Sequence, residues 1–168
     1  MPITKQTVAI IGSKSILGVS IAKGLCSENY KLLLFDEDDT FAGQLSDQIC
    51  AEIEGAEVEV IECQHMACWE ADVVVIANPV NDINRLSEKI REVATQKIVA
   101  VLLKETDLQQ LELVERGFPH SKVVGVIPSD YDKESVQLMT KHTRALRTVK
   151  EMVEKAGFKP LLKELKPH

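Results

Sequence analysis

The chain has 168 residues, 45% of them hydrophobic and 27% charged, with a formal net charge of −6. That length and composition suit one α/β domain with a sizeable core, and the acidic balance argues against a general nucleic-acid binder. No apolar run reaches membrane-spanning length and the leading Met1-Pro2-Ile3-Thr4-Lys5 has no signal-peptide core, so the expectation is a cytoplasmic protein with no membrane partner.

In chain order, Thr7-Val8-Ala9-Ile10-Ile11 predicts a buried parallel strand that delivers the chain to a turn. The turn runs Gly12-Ser13-Lys14-Ser15-Ile16-Leu17-Gly18 and opens an apolar helix. Lys31-Leu32-Leu33-Leu34-Phe35 predicts a second strand, ending in Asp36. This order is the first half of a dinucleotide-binding unit. The backbone N–H groups of the turn face a diphosphate at the helix N-terminus, and the carboxylate after the second strand holds ribose hydroxyls. The glycine pattern is degraded, because Ser13 and Ser15 stand where a G-x-G would lie. Gly18 still permits close helix–strand packing. Ser15 brings a side chain toward the diphosphate, to which it can donate, and Lys14 adds positive charge. The acidic run Asp36-Glu37-Asp38-Asp39 repels a 2′-phosphate, so NAD is expected over NADP. Glu37 to Asp39 also read as a solvated cap for the next helix.

That helix is expected over Thr40 to Glu54, with Phe41, Leu45, Ile49 and Ile53 on one face and Gly55 as its stop. Glu57 to Ile61 predicts a third strand and Asp72 to Ala77 a fourth, the latter unbroken in its apolar run. Asn78-Pro79-Val80-Asn81 turns the chain. Ile83, Leu86, Ile90 and Val93 mark another amphipathic helix, followed by a strand over Lys97 to Leu103 and a helix from Leu108 to Arg116 closed by Gly117. Lys122 to Ile127 predicts a sixth strand, Ser135 to Thr140 a short one, His142 to Ala156 a helix capped by Gly157, and Phe158 to Leu165 a last strand. With no linker or low-complexity tract, residues 1–168 read as a single doubly wound, mostly parallel domain of the Rossmann type. The crevice of such a sheet lies at the carboxyl ends of its strands. That rule gathers Gly12 to Gly18, Asp36, Asn78-Pro79, Leu103-Lys104 and Ile127-Pro128 around one cleft.

The four cysteines, Cys26, Cys50, Cys63 and Cys68, read as reduced thiols. Cys63-x-His65-x-x-Cys68 lacks a fourth ligand at familiar spacing, so no metal is expected. Cys63 is expected to end a strand and Cys68 to pack beneath Trp69. His65, His120, His142 and His168 read as loop or surface residues. Lys104 reads either as a solvated strand-end lysine or as a contact to substrate or phosphate. Asn78 reads either as a helix cap or as a ribose ligand.

Taken together, Ile11-Gly12 through Leu17-Gly18, Asp72 through Asn78-Pro79-Val80, and Leu138-Met139-Thr140 through Leu165 resemble the nucleotide-binding domain of the prephenate dehydrogenases. The likeness covers nearly the whole chain. It implies an oxidoreductase ancestry, with hydride passed to NAD(P) during an oxidative decarboxylation on the route to tyrosine. It also implies contacts from Gly12, Ser13, Lys14, Ser15, Ile16, Leu17, Gly18 and Asp36 to the dinucleotide, with Asn78 and Pro79 at the nicotinamide end. Two departures stand against catalysis. The family's Gly-x-His-Pro turn is Gly125-Val126-Ile127-Pro128 here, and its Ser-x-Lys segment keeps only Lys104. Ile127 cannot move a proton. The family's helical second domain has no counterpart in the 168 residues. The expectation is therefore an NAD-binding domain weak or inactive alone, working as a homodimer or with a partner chain that completes the pocket. The alternative is a non-catalytic sensor or assembly module on the same fold.

Overall fold

The computed structural model describes residues 5–12, 15–77, 83–104, 108–129 and 132–164. Eight strands form one sheet. They are β1 (Gln6–Ile11), β2 (Tyr30–Phe35), β3 (Glu57–Val60), β4 (Val73–Ile76), β5 (Ile98–Leu102), β6 (Lys122–Pro128), β7 (Ser135–Thr140) and β8 (Lys159–Glu164). Their spatial order is β3-β2-β1-β4-β5-β6-β7-β8. All neighbours run parallel except β6 and β7, which are antiparallel. The sheet is thus mostly parallel, as its unbroken apolar strands require: a strand buried on both faces has no polar side to show.

Alternate residues of the strands feed two separate cores. Val8, Ile10, Leu32, Leu34, Val73 and Val75 pack on one face under α1 (Ile16–Cys26), α2 (Asp39–Glu52) and α6 (Thr143–Lys155). Ala9, Ile11, Leu33, Val74 and Ile76 pack on the other under α3 (Gln64–Glu70), α4 (Ile83–Ile90) and α5 (Leu108–Gly117). Strand order reverses between β1 and β4, because the chain leaves β1 toward β2 and β3 and then returns to the other side of β1. The crevice of the sheet therefore opens where β1 and β4 end.

Several expectations shift by a residue or two, and two change in kind. The helix expected to run through Val93 stops at Ile90. Val93 remains buried because the following turn folds back onto the same core. Residues 64–70, for which the sequence predicts no element, form α3. This also corrects the expected packing of Cys68 beneath Trp69. Neighbouring helical residues point about 100° apart, so one faces the core and the other faces out. Cys68 is buried among Ala67, Leu33 and Ala71, whereas Trp69 is 69% exposed. Cys63 stands just before α3, past the end of β3 at Val60, rather than at a strand terminus.

Two glycines give opposite forecasts for the same substitution. A Cβ on Gly24 in α1 would stand 2.5 Å from Cα and 2.6 Å from the carbonyl oxygen of Ala156, where α6 ends, while one on Gly43 in α2 meets nothing within 4 Å. Gly43→Ala is expected to stabilise the fold by about 0.5–1 kcal/mol through helix propensity. Gly24→Ala is expected to lose about 1–3 kcal/mol because the backbone contact between α1 and α6 has no room to give. Urea denaturation of the two variants checks both signs.

Candidate functional site

The crevice is built from the end of β1 outward. After Ile11 the chain turns at Gly12, whose φ of +78° is the left-handed region that a side chain disfavours. The Gly12 amide donates to the carbonyl of Phe35 at 2.8 Å, so the turn is tied to the last residue of β2. On the other side the Ala77 amide donates to the Ile11 carbonyl at 2.8 Å, so β4 stays joined to β1 up to the rim.

Ser15 is the N-cap of α1, extended at φ −72° and ψ 152°. Its Oγ accepts from the Gly18 amide at 2.9 Å, and its carbonyl accepts from Val19 at 2.9 Å, the start of the helical ladder. The side chain expected to reach toward a diphosphate is therefore anchored to its own helix. The reason is local: an uncapped helix start leaves donors unsatisfied, and a serine one residue before the helix is the residue type that satisfies them. Gly18 is buried and Leu17 packs on the core, while Ile16 stands 88% exposed at the mouth of the crevice. The first turn of α1 carries no acidic residue, so nothing in it opposes an anion at the positive end of the helix dipole.

Asp36 follows Phe35 directly and so lies beside Gly12. It is only 8% exposed. Its Oδ1 accepts from the Asp38 amide at 2.9 Å. Its Oδ2 is buried and has no hydrogen-bond partner among the described residues. A buried carboxylate oxygen without a donor costs about 1–3 kcal/mol or more. Asp38 accepts from the Phe41 amide at 3.2 Å and caps α2, so the acidic run does serve as a helix cap as well.

Of the other residues singled out in the sequence, Ser13, Lys14, Asn78 and Pro79 lie outside the described residues. Lys104 is exposed one residue beyond Leu103, whose amide donates to Val126 at 2.9 Å. Ile127 is 4% exposed and belongs to the core, so the position matched to the family's histidine is filled by packing. His65, His120 and His142 are exposed. Sequence reading passed over Lys97, whose Nζ donates to the carbonyls of Cys68 and, at 2.7 Å, of Trp69, thereby holding the C-terminal end of α3. Burial holds its pKa below the usual lysine value. This contact spans some thirty residues, and no local pattern announces it.

Among the described residues no three of His, Cys, Asp and Glu gather as a metal site, and no helix is long and apolar enough to cross a membrane. Burial pushes the Cys26 thiol up to about 11, with Cys50 adding to the effect, and the Cys68 thiol up to about 12. Cys50 and Cys63 are exposed. The thiolate is the reactive form. Iodoacetamide at pH 8 is therefore expected to label Cys50 and Cys63 in the native protein and all four cysteines in denaturant. Mass spectrometry of the two samples checks this, and native labelling of Cys68 would contradict its packing.

No protein-family model matches the chain, and no curated protein matches it. Solved structures do. A hypothetical protein, SMa0349, from Sinorhizobium meliloti is 23% identical with a TM-score of 0.69, over 94% of this chain and 84% of that one. A pyrroline-5-carboxylate reductase from Coxiella burnetii is 16% identical with a TM-score of 0.77, over 96% of this chain and 60% of the reductase. A reductive aminase from Aspergillus terreus, solved with NADPH and ethyl levulinate, is 12% identical with a TM-score of 0.73, over 96% of this chain and 56% of the aminase. At such identities the likeness defines the fold: an α/β domain of the Rossmann type, the architecture found in these dehydrogenase-like enzymes. The chain spans little more than half the length of the two enzymes.

Proposed function

We propose that this chain binds a nicotinamide dinucleotide at the end of β1, as the nucleotide-binding half of a dehydrogenase related to the prephenate dehydrogenases. The observation that carries this reading is the buried, unpartnered Oδ2 of Asp36 beside the positive-φ turn at Gly12. In it, the segment Gly12, Ser13, Lys14, Ser15, Ile16, Leu17 and Gly18 cradles the diphosphate. Asp36 accepts from the adenosine ribose hydroxyls, and Ile16 is covered by the bound cofactor. Asn78 and Pro79 lie along the nicotinamide end, and Lys104 faces substrate. That the aminase is solved with NADPH, on the same fold, supports the ligand class. NAD is preferred over NADP, since Asp36, Glu37, Asp38 and Asp39 crowd negative charge where a 2′-phosphate would sit.

When bound, the nicotinamide supplies hydride chemistry. The chain's own residues supply binding and orientation. No proton transfer is assigned to them, because Ile127 is an alkyl side chain locked in the core. Turnover therefore requires a second unit, another copy or another chain, to close the crevice and bring the acid–base group.

Fluorescence titration tests the reading. NADH is expected to bind, and Asp36→Ala to weaken it about 10- to 100-fold, as for loss of a hydrogen bond to a charged group worth about 1.5–3 kcal/mol. NADPH is expected to bind at least about tenfold more weakly, with the gap narrowed in Asp36→Asn. The purified chain alone is expected to leave prephenate unchanged in the presence of NAD. An NADH affinity indifferent to Asp36, or prephenate turnover by the lone chain, would overturn the corresponding half of the proposal.

A further inference from the structure

We infer that the outer edge of β8 pairs with the same edge of a second copy of this chain, antiparallel about a two-fold axis at Leu162. β8 ends the sheet, and among the described residues β7 is its only neighbour. The Lys159 amide donates to the Glu134 carbonyl at 2.7 Å, in parallel register with β7. Peptide groups of a strand alternate sides, so Lys159, Leu161 and Lys163 turn their N–H and C=O toward β7. Pro160, Leu162 and Glu164 turn theirs outward. The missing N–H of Pro160 therefore falls on the free edge, where a proline is tolerated in a sheet. The outward row keeps three carbonyls and the N–H groups of Leu162 and Glu164. Two large apolar side chains share this strand: Leu161 is 58% exposed and Leu162 51%. Successive side chains take opposite faces, so the middle of the edge is apolar on both.

The residues of β8 select both the occupant and the register. In an antiparallel pair, outward-facing residues must oppose outward-facing ones, which leaves only alternate registers. A pair centred on Leu161 sets Lys159 against Lys163 of the second copy, and one centred on Lys163 sets that lysine against itself. A pair centred on Pro160 has no donor at its axis. Centred on Leu162, the two Leu162 residues exchange N–H···O=C bonds. Each Glu164 N–H then donates to the opposing Pro160 carbonyl, and Leu161 lies opposite Lys163, whose methylene stem covers it. That register uses every outward donor of both copies. The other edge of the sheet is guarded. The Ile61 amide donates to Leu34, so Val58 and Val60 face outward there, and the two registers that best overlap a pair of β3 strands each oppose glutamate to glutamate, through Glu57 and Glu59. Pairing through β8 turns the copies end for end, so their crevices open at opposite edges of the joined sheet. This dimer closes neither crevice and stands independently of the dinucleotide reading.

A six-residue strand offers less surface than a permanent dimer buries, so a weak dimer is expected, populated between about 0.1 and 1 mM. Sedimentation velocity of the chain across that range measures it. Leu162→Lys puts like charges at the axis and is expected to weaken association at least about tenfold. Its melting temperature is expected to stay close to wild type, because the side chain is half exposed. Pro160→Val restores an outward N–H facing the Glu164 carbonyl of the second copy and is expected to tighten association about tenfold. Cross-linking tests the register in a Cys50→Ser, Cys63→Ser background, which removes the exposed native thiols. Leu162→Cys brings two thiols together across a Cα separation of about 5.5 Å and is expected to form a disulfide-linked dimer when diamide is added as oxidant. Lys159→Cys leaves them about 20 Å apart and is expected to stay monomeric. A wild-type chain that remains monomeric at about 1 mM would overturn the proposal and leave this edge to a different partner. A dimer indifferent to both Leu162→Lys and Pro160→Val would overturn it in favour of another surface. Cross-linking through Lys159→Cys but not Leu162→Cys would overturn the axis at Leu162.

Discussion

Past the last register pair of β1 and β2, the Gly12 amide donates to the Phe35 carbonyl at 2.8 Å. The bond is short, local and made by backbone alone, yet it sets the geometry of the whole rim. At this point the chain leaves β1 with a positive φ, a conformation that glycine adopts at little cost. It places the start of α1 over the crevice and holds Asp36 at its side.

The rim is rigid for a reason that lies deeper. Residues 8–11, 32–34 and 73–76 are essentially inaccessible to solvent. Each strand is packed from both faces, so a displacement at one end is resisted along its length. The ends of β1, β2 and β4 are then fixed relative to one another by packing. This is the physical sense in which such a sheet positions groups: the core spends nothing on recognition and supplies a stable edge from which a few backbone donors and one carboxylate project.

Two parts of that edge differ in kind. The end of β1 carries a left-handed glycine, a capped helix start and a buried acid. The end matched to the family's catalytic turn carries Ile127, and that side chain belongs to the hydrophobic core alongside Leu103 and Leu111. Restoring a histidine there would bury a titratable ring among alkyl groups, an unfavourable exchange unless the surroundings changed as well. The end of β1 thus offers polar and conformationally special groups, whereas the end of β6 offers only packing.

Much of this was legible in the sequence. The alternation of apolar runs with amphipathic helices gave the strand count and the parallel class, because burial on two faces leaves an unmistakable pattern in β1, β2 and β4. The strand–turn–helix–strand–acid order marked the candidate site, because the residue types in a tight turn answer to local sterics. What the sequence left open was decided by contacts between distant residues. Helix α3 is seven residues long and is held at its end by Lys97, so its pattern was too short to read and its support lay elsewhere. The direction of the Ser15 side chain was a choice between a ligand and its own helix, and the cap settled it at 2.9 Å. Asp36 is buried, with Oδ1 engaged by the Asp38 amide and Oδ2 without a donor among the described residues, a state that no local pattern announces. Local chemistry specified which groups the chain carries to its rim; packing between elements far apart in the chain determined which of those groups are already engaged and which are still free to bind.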